Sequence, residues 1–498
     1  MIYIPKLKIV ASLLSIIFVQ FANAGVDECL NCHQALEDNP SRLFIEDVHY
    51  KAGLSCNSCH GGNSNSDDME LAMSKSQGFI GVPALNNISD VCSKCHSNSE
   101  YMKKYNANIH TDQFAKLKES VHGKLAVNGK GMMLQCITCH NAHGIKKIND
   151  PKSPVYPTNV PQTCNKCHGN ASFMQSYNPA ISVDQLTKYR TSVHGVLNSK
   201  GNIKAAECAS CHGSHDIFEA NDVRSNVYKL NIPNTCSHCH SDKEYMKAFN
   251  IATDQFSKYQ NSVHGKAVFE KQDLSAPVCN DCHGNHGATP PGIESISKVC
   301  GSCHALNAEL FSASPHKKAF DEKKYPECET CHGNHEILIA KDQLLGVEKG
   351  AICLKCHSEN ENQKGYYIAK EMKKLTDSLI VSDSLAKYMV FQAEQKGMDV
   401  EEIKFKLREI HQARLEGRTI VHSFDEAKFK EVTTKGFKVS ELTITEAKAA
   451  IDEFYFRRYG LGIAVAIISF LIVILFLYIK KIENHLKSPE TGQNHVCQ

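Results

Sequence analysis

The sequence of 498 residues contains no tryptophan, and only 8% of its residues are aromatic. Large aromatic side chains supply much of the buried area in ordinary domains. A chain of this length with so few of them has little material for a conventional hydrophobic core. The formal net charge is only +2, which gives no electrostatic indication of a nucleic-acid partner. In place of these features the chain has 23 cysteines and 26 histidines. We therefore expect a non-protein group to fill much of the interior.

Eleven copies of the motif Cys-x-x-Cys-His account for 22 of the cysteines, and only Cys497 stands apart. The motif is the attachment signature of c-type haem. Two thiols three residues apart reach the two vinyl groups of one porphyrin, and the adjacent histidine becomes the proximal iron ligand. The cysteine pairs are Cys29 and Cys32, Cys56 and Cys59, Cys92 and Cys95, Cys136 and Cys139, Cys164 and Cys167, Cys208 and Cys211, Cys236 and Cys239, Cys279 and Cys282, Cys300 and Cys303, Cys328 and Cys331, and Cys353 and Cys356. The predicted proximal ligands are His33, His60, His96, His140, His168, His212, His240, His283, His304, His332 and His357.

Three other kinds of site use paired cysteines: disulfides, zinc sites and redox dithiols. None of them requires a histidine directly after every pair, as this sequence has eleven times. The sequence therefore predicts eleven covalently attached c-type haems, numbered 1 to 11 in chain order.

A unit of two motifs recurs along the haem region. Each unit has a Ser-Val-His-Gly-like segment, then Cys-x-x-Cys-His-x-x-His, then a lone Cys-x-x-Cys-His. Five units hold haems 2 to 11; the first is degenerate, with Asn63 in place of the last histidine of the longer motif, and the motif at Cys29 stands before it.

The repeated histidines are candidates for the distal iron ligands. The Val-His-Gly-like segments supply His49, His122, His194, His264 and His316, and the longer motifs supply His143, His215, His286 and His335. The degenerate unit lacks one candidate because of Asn63, and His110 in the following linker could replace it as a distal ligand. The equivalent linker positions in the next two units are Ser182 and Ala252. The eleventh ligand is predicted to be His411 or His422; alternatively, one haem is five-coordinate and catalytic. His238, inside a haem motif, is poorly placed to bind a neighbouring iron.

Both ends of the chain carry apolar segments. Lys6 and Lys8, the apolar residues 9–19 and Ala22-Asn23-Ala24 predict a signal peptide over residues 1–24, with an uncleaved anchor as the alternative. Residues 461–479 form an uncharged run of nineteen residues, long enough to cross a bilayer; the alternative is a buried helix of a soluble protein. Lys480, Lys481 and Lys487 favour a cytoplasmic C-terminus.

The domain prediction follows these features. We expect a signal peptide (1–24), an N-terminal haem region (25–108), a repeated haem region (109–360), a helical region (361–458), a transmembrane helix (459–480) and a cytoplasmic tail (481–498). The predicted fold is mainly α with much irregular structure, in which haems replace most of the core. Short helices are expected near residues 113–120 and 185–192.

The tail should contain long helices. Asp399 and Glu402 predict a helix start, with Ile403, Leu407, Ile410 and Leu415 on its apolar face and Gly417 at its end. Ser423 with Glu426 predicts another helix start, next to His422. A last helix is expected from about Thr445 into the membrane span.

The motif set over residues 29–357 resembles that of bacterial multihaem cytochromes c with doubled Cys-x-x-Cys-His motifs. The Val-His-Gly segments with Cys-x-x-Cys-His-x-x-His are also similar to parts of octahaem hydroxylamine oxidoreductases, tetrathionate reductases and pentahaem nitrite reductases. This resemblance implies electron transfer in respiration, with a quinone-linked membrane subunit and a periplasmic acceptor as partners. No Cys-x-x-Cys-Lys motif, which would mark a nitrite reductase's catalytic haem, is present.

Three functions follow from the sequence. The first is electron transfer by a haem wire anchored to the outer face of the cytoplasmic membrane. The second is oxidation or reduction of a small nitrogen or sulfur compound, such as nitrite, hydroxylamine or tetrathionate, at one open haem. The third is a structural or haem-storage role, which the ordered repeat of ligands disfavours.

Overall fold

The computed structural model describes residues 27–487, except for residues 107, 128–129 and 293–295. The predicted signal peptide, Cys497 and the end of the predicted cytoplasmic tail lie outside the described residues. The described chain is mainly helical, with many short helices joined by irregular loops, and the predicted fold class is confirmed.

The haem region is built from short helices, most of which are shorter than ten residues. Before the first complete unit lie α1 (Glu28–Ala35), α2 (Asn39–Phe44), α3 (Val48–Lys51), α4 (Asn57–His60), α5 (Met69–Ala72), α6 (Ile88–His96) and α7 (Ser99–Met102). The complete units contain α8 (Gln113–Glu119), α9 (Cys136–His140), α10 (Val160–His168), α11 (Ala171–Tyr177), α12 (Gln185–Thr191), α13 (Val193–Ser199), α14 (Cys208–His212), α15 (Ile232–His240), α16 (Lys243–Lys247), α17 (Gln255–Asn261), α18 (Val263–Lys271), α19 (Cys279–His283), α20 (Ile296–Gly301), α21 (Ala305–Ser312), α22 (Pro315–Lys323) and α23 (Glu327–His332). Helices α8 and α12 agree with the two short helices expected from the sequence.

Two short strands, which the sequence analysis did not anticipate, follow the first Ser-Val-His-Gly segment. Strand β1 (Leu125–Val127) pairs antiparallel with β2 (Lys130–Met132), so that Leu125 faces Met132. The strands are too brief to alter the helical character of the region.

Three long helices form the tail: α24 (Gln363–Gln395), α25 (Glu401–Ile420) and α26 (Glu426–Leu486). Their apolar contacts include two continuous clusters, one around Val390, Ala393 and Ala447 and one around Leu379, Ala386 and Ile410. The tail thus has the conventional packed core that the haem region was not expected to have.

The tail corrects three details of the sequence analysis. Helix α25 continues past Gly417, which is buried within it, and Leu415 is 43% exposed while Ala413 is buried. The last helix begins at Glu426, well before Thr445, and its N-cap is Asp425, whose carboxylate accepts hydrogen bonds from the amides of residues 427 and 428. Gly417 does not have the positive φ that would end a helix, and its burial against neighbouring helices outweighs the low helix propensity of glycine.

The described chain divides into two compact units. The first comprises Met1–Phe256 and Ala267–Pro290, and the second comprises Ser257–Lys266 and Pro291–Gln498. Haems 1 to 8 would be attached in the first unit and haems 9 to 11 in the second.

Candidate haem-binding sites

Nine of the eleven haem motifs lie on a short α-helix, which gives the two cysteines their common face. In the other two, α20 ends at Gly301, inside the motif, and the last motif forms only a 3-10 turn over Cys353–Lys355. In the longer motifs the helix begins at or near the first cysteine and ends at the histidine, as in α9 and α14. The next residue has a φ value between 68° and 81° in all five units. This residue is Gly in four units and Asn141 in the other, because these residues adopt positive φ at the lowest cost. The sharp turn directs the chain towards the second histidine of the motif.

Among the residues that the structure describes, nine pairs of histidine rings face each other across similar gaps. Four join a longer motif to a histidine further along the chain: His60 with His143 (6.1 Å between ring centroids), His140 with His215 (6.2 Å), His212 with His286 (6.0 Å) and His332 with His422 (6.1 Å). Five join a lone motif to the Val-His-Gly-like segment of its own unit: His96 with His49 (6.0 Å), His168 with His122 (6.1 Å), His240 with His194 (6.0 Å), His304 with His264 (6.4 Å) and His357 with His316 (5.8 Å).

The gap fits an iron atom bound by both rings. Metal–imidazole bonds are about 2 Å long, so two imidazoles on opposite sides of one metal have centroids roughly 6 Å apart. In each pair one histidine directly follows a Cys-x-x-Cys pair, which provides the thiols for covalent attachment. The residues therefore fit bis-histidine c-type haem.

Buried polar atoms give a second indication that a bound group belongs here. The side-chain amide oxygens of Gln113, Gln185 and Gln255 are buried without a hydrogen-bond partner in the described structure. These residues occupy equivalent positions, nine residues before the Val-His-Gly histidine, in three units. A buried carbonyl oxygen without a donor is costly. Turning the amide by 180° places its NH2 group at this position, where it can donate to a carboxylate of a bound haem.

The pairs follow one rule. The second histidine of a longer motif faces the proximal histidine of the longer motif in the preceding repeat unit. The Val-His-Gly histidine faces the proximal histidine of the lone motif in its own repeat unit. His422 takes the corresponding position opposite His332 after the last unit. His283 lies in the first of the two compact units and His335 in the second, so their pairing stays a prediction.

The structure separates the two tail candidates. His422 lies in the turn between α25 and α26, half-buried, and its Nδ1 is 3.0 Å from the carbonyl oxygen of Thr419, which leaves Nε2 facing His332. His411 is exposed on α25 and has no ring contact with another histidine among the described residues. Only His422 is therefore placed for a ligand.

Two other histidines fall outside the pairs. His110 is exposed, and within the described chain it makes neither a hydrogen bond nor a ring contact. His238 is exposed as well, in agreement with its expected exclusion. No described histidine ring lies against His33, which is bonded instead to a carboxylate: its Nδ1 is 2.5 Å from Asp38 Oδ2.

Several ring nitrogens on the side away from the gap are hydrogen-bonded. His49 Nδ1 lies 2.9 Å from Asp47 Oδ1, and His60 Nδ1 lies 2.8 Å from the carbonyl oxygen of Gly81. Such contacts fix the orientation and tautomer of metal-binding imidazoles, so Nε2 is left to face the gap.

Burial favours the neutral imidazole of His122 and His316. It lowers the pKa of His122 to about 4, with a smaller contribution from His168, and lowers the pKa of His316 to about 4 in the same way, with His357 adding to the effect. Neutral imidazole is the form that binds metal.

The Ser-Val-His-Gly segment has a local reason for each residue. Ser192 caps α13: its hydroxyl donates to the carbonyl of Tyr189 and accepts from the amide of Gly195. A Cβ on Gly195 would lie 1.9 Å from the Tyr189 carbonyl oxygen, so only glycine fits. The amide of Val193 donates to the carbonyl oxygen of Ala288, two residues after His286.

The valine contact recurs and was not anticipated from the sequence. Val48, Val121 and Val263 donate in the same way to Ile145, Ile217 and Ile337, each two residues after the second histidine of the next unit's longer motif. This backbone contact, called here the unit latch, sets the spacing of successive distal histidines. In the last unit Pro315 stands at the donor position, where no further unit follows.

Thiols of consecutive motifs interact with each other. Hydrogen bonds join Cys92 with Cys136, Cys164 with Cys208 and Cys236 with Cys279 in the first compact unit, and Cys300 with Cys328 in the second. Electrostatic interaction links Cys29 with Cys56, Cys59 with Cys95, Cys139 with Cys164 and Cys211 with Cys236 in the first compact unit, and Cys331 with Cys353 in the second. The attachment sites thus follow sequence order within each unit.

Three family models match parts of the chain. Residues 48–169 match cytochrome c3, residues 318–362 match the doubled CXXCH motif, and residues 19–61 match cytochrome c554 and c-prime. No curated protein matches the chain. Together with the cysteine pairs, the three matches support a multihaem c-type cytochrome with an electron-transfer role.

Proposed function

We propose that this chain is a membrane-anchored periplasmic undecahaem cytochrome c that carries single electrons between a quinol-linked or other membrane partner and periplasmic acceptors. The observation that carries the proposal is the series of nine facing histidine pairs, each about one iron's width apart. Haem iron with two histidine ligands supplies a one-electron couple at low potential.

The proposed ligands follow the pairing rule. The proximal ligands are the eleven motif histidines. The distal ligands of haems 2 to 7 are His143, His49, His215, His122, His286 and His194, and those of haems 9 to 11 are His264, His422 and His316. His335 remains a candidate distal ligand from the sequence. Nine irons are then saturated by protein, as electron transfer without a bound substrate requires.

The order of the attachment sites supports conduction along the sequence. Because the thiols of consecutive motifs interact within each compact unit, an electron can pass through the haems of that compact unit in numerical order. The protein's part is to fix the spacing, the ligands and the local electrostatics.

Helix α26 supports the proposed anchor and sets its geometry. It runs unbroken for 61 residues, and its apolar segment makes it a candidate membrane span. About 35 residues precede the uncharged run at Leu461, so roughly 50 Å of helix stands outside the hydrocarbon core. Helices α24 and α25 pack along this part, so the tail forms a stalk between membrane and haems.

The haems nearest the tail lie at the far end of this stalk. His422, facing His332, is in the turn just before α26, and Phe424 stacks on His316 with ring centroids 3.7 Å apart. Haems 10 and 11 are therefore held several nanometres above the membrane, too far for direct electron exchange with a quinol in the bilayer. The membrane partner must carry its own redox group out to that height.

The topology follows from the terminal segments. A cleaved signal peptide over residues 1–24 and the lysines after residue 479 favour a periplasmic haem region and a cytoplasmic C-terminus. The covalent attachment of haem outside the cytoplasm agrees with this orientation.

Protein-film voltammetry of the detergent-solubilised holoprotein tests the function. The mass of the mature chain should exceed that of the polypeptide by eleven haems, and the film should give reversible one-electron waves. Catalytic currents with nitrite, hydroxylamine or tetrathionate should be absent. A sustained catalytic current would identify an oxidoreductase instead, and a smaller number of attached haems would contradict the undecahaem assignment.

A further inference from the structure

Haem 1 differs from the other ten because the pairing rule supplies it with no distal histidine. Its motif, Cys29 to His33, is of the lone kind, whose partner lies 40 to 47 residues earlier in the five units. No histidine precedes His33 in the sequence. Among the described residues no second histidine ring contacts His33, and His110, the other candidate, is exposed without a ring contact.

The degenerate first unit agrees with this account. The second histidine of each later longer motif faces the proximal histidine of the preceding unit's longer motif. No longer motif precedes the first unit, so no iron would face position 63, where the residue is Asn63. The asparagine therefore leaves no iron without a ligand, and His110 is not needed as a replacement.

His33 has a carboxylate partner on the ring nitrogen that would face away from the iron. Its Nδ1 lies 2.5 Å from Asp38 Oδ2, and Ser41 donates its backbone amide to the other oxygen of Asp38 at 2.8 Å. A carboxylate on Nδ1 raises the basicity of a metal-bound imidazole and enriches the iron in electrons.

Haem 1 is also accessible and stands at one end of the series. The side chain of His33 is 47% exposed, and Cys32 is exposed. Its thiol neighbour in the first unit is Cys56 of haem 2. A ligand at this haem would meet solvent on one side and the chain of haems on the other.

We propose that haem 1, attached at Cys29 and Cys32 with His33 as its only histidine ligand, is an open site that binds small electron-accepting nitrogen oxides, such as nitric oxide or nitrite. The electron-rich iron behind the Asp38–His33 pair favours ligands that accept electron density. The inference rests on the proposed electron-transfer function, which supplies the reduced state of the iron.

Carbon monoxide is a suitable probe because it binds only ferrous haem with a free position. The dithionite-reduced, full-length holoprotein in detergent should take up one carbon monoxide per eleven haems, and nitric oxide should compete with it. In the C29A/C32A variant, which lacks haem 1, uptake should vanish while ten haems remain.

Two further variants separate a ligand-binding role from a structural one. Asp38→Asn should raise the C–O stretching frequency of the bound carbon monoxide, since the imidazole then donates less charge to the iron. His110→Ala should leave the uptake unchanged. Carbon monoxide uptake that appears only in His110→Ala would overturn the proposal and make His110 the eleventh ligand.

The outcomes also distinguish this inference from the function on which it rests. No carbon monoxide uptake by the wild type, with every haem low-spin, would refute the open site and leave the electron carrier intact. Uptake of several equivalents would refute the saturated array itself.

Discussion

At the scale of single residues, the described candidate haem ligands include eighteen histidines that face another imidazole and His33, which does not. Their surroundings differ in the same sense: His122 and His316 are buried enough for their pKa to fall to about 4, whereas His33 is exposed and bonded to Asp38. His422 shows how a residue outside the repeat completes it, since the tail turn brings it opposite His332. A helical residue with the same side chain, His411, remains on the surface.

Replacing His422 by alanine should convert one low-spin haem to high-spin without loss of covalent haem, because only the distal ligand of haem 10 is removed. Electron paramagnetic resonance of the oxidised protein measures this change. His411→Ala is the matched control and should leave the spectrum unaltered. The wild type already gives the high-spin signal of haem 1, so an additional high-spin signal in His411→Ala, with no increase in His422→Ala, would reverse the assignment of the tail ligand.

At the scale of elements, the repeat unit and the tail are held together by different means. The repeat units are joined by a Val-His-Gly helix, which a serine hydroxyl caps, and by the unit latch, which is a backbone hydrogen bond. The tail helices pack through small residues: Ala386, Ala393 and Ala447 are fully buried, and the hydroxyls of Ser382 and Ser440 are 2.7 Å apart. Buried Asp383 also lies 2.6 Å from Arg414 Nη1.

Two glycines of the tail should respond oppositely to alanine. A Cβ on Gly436 would meet Ala413 Cβ and Leu379 Cδ1, both at 3.0 Å, so Gly436→Ala should destabilise the tail by about 1 to 3 kcal/mol through overpacking. A Cβ on Gly417 would be 4.0 Å from Phe429 Cε2, so Gly417→Ala should stabilise α25 by about 0.5 to 1 kcal/mol. Thermal unfolding of the two full-length variants, followed by circular dichroism, compares them. Equal melting temperatures would contradict the close packing at Gly436.

The two kinds of pair differ in ring orientation. Pairs from the longer motifs have nearly parallel planes, at 14°, 7°, 14° and 22°. Pairs at the lone motifs are more strongly crossed, at 83°, 58°, 63°, 35° and 70°. The two classes alternate from haem to haem within each unit of the fold.

Two groups of low-spin signals are expected from these orientations. Crossed imidazole planes make the two iron d orbitals that meet the ligands nearly equivalent, which increases the anisotropy of the g values; parallel planes make them unequal. Low-temperature electron paramagnetic resonance should resolve a rhombic group and a more anisotropic group, and His422→Ala should remove a rhombic component. A single uniform group would contradict the alternation.

At the scale of the whole molecule, the chain combines a haem array with few apolar clusters and a tail with a packed core. The array depends on bound haem for its interior, so unfolding and haem attachment are coupled, as in small metal-dependent domains. The tail needs no haem for its own packing and extends continuously into the candidate span. The candidate membrane span and the haem motifs therefore lie in separable parts of the chain.

Ending the chain after Tyr459 should release the protein from the membrane without altering the haems. The truncated chain keeps His422, the packed part of α26 and every haem motif, but it lacks the uncharged run. Fractionation should place it in the periplasmic extract, with the full-length chain in the membrane as control, and both should give the same low-spin signals. Continued membrane attachment of the truncated chain would show that another segment or a partner holds it.

The sequence by itself determined the chemistry of this protein, because covalent haem attachment requires local spacing: two cysteines and a histidine within five residues. It also determined the repeat, the candidate distal histidines and the apolar span, which depend on short-range pattern and length. It could not pair the ligands, since each pair joins residues 40 to 90 positions apart whose meeting depends on the unit latch and the turns after the motifs.

Only the tertiary structure distinguished His422 from His411. Both histidines lie in or next to predicted helices, so the sequence pattern is the same for both. The packing of the tail helices brings His422 opposite His332 and leaves His411 on the surface. Likewise, the full length of α26 could not be recognised from local signals. Its N-terminal half is mainly polar and its C-terminal half is apolar, so the sequence predicted two separate helices. Packing of the N-terminal half against α24 and α25 keeps the two halves in one continuous helix.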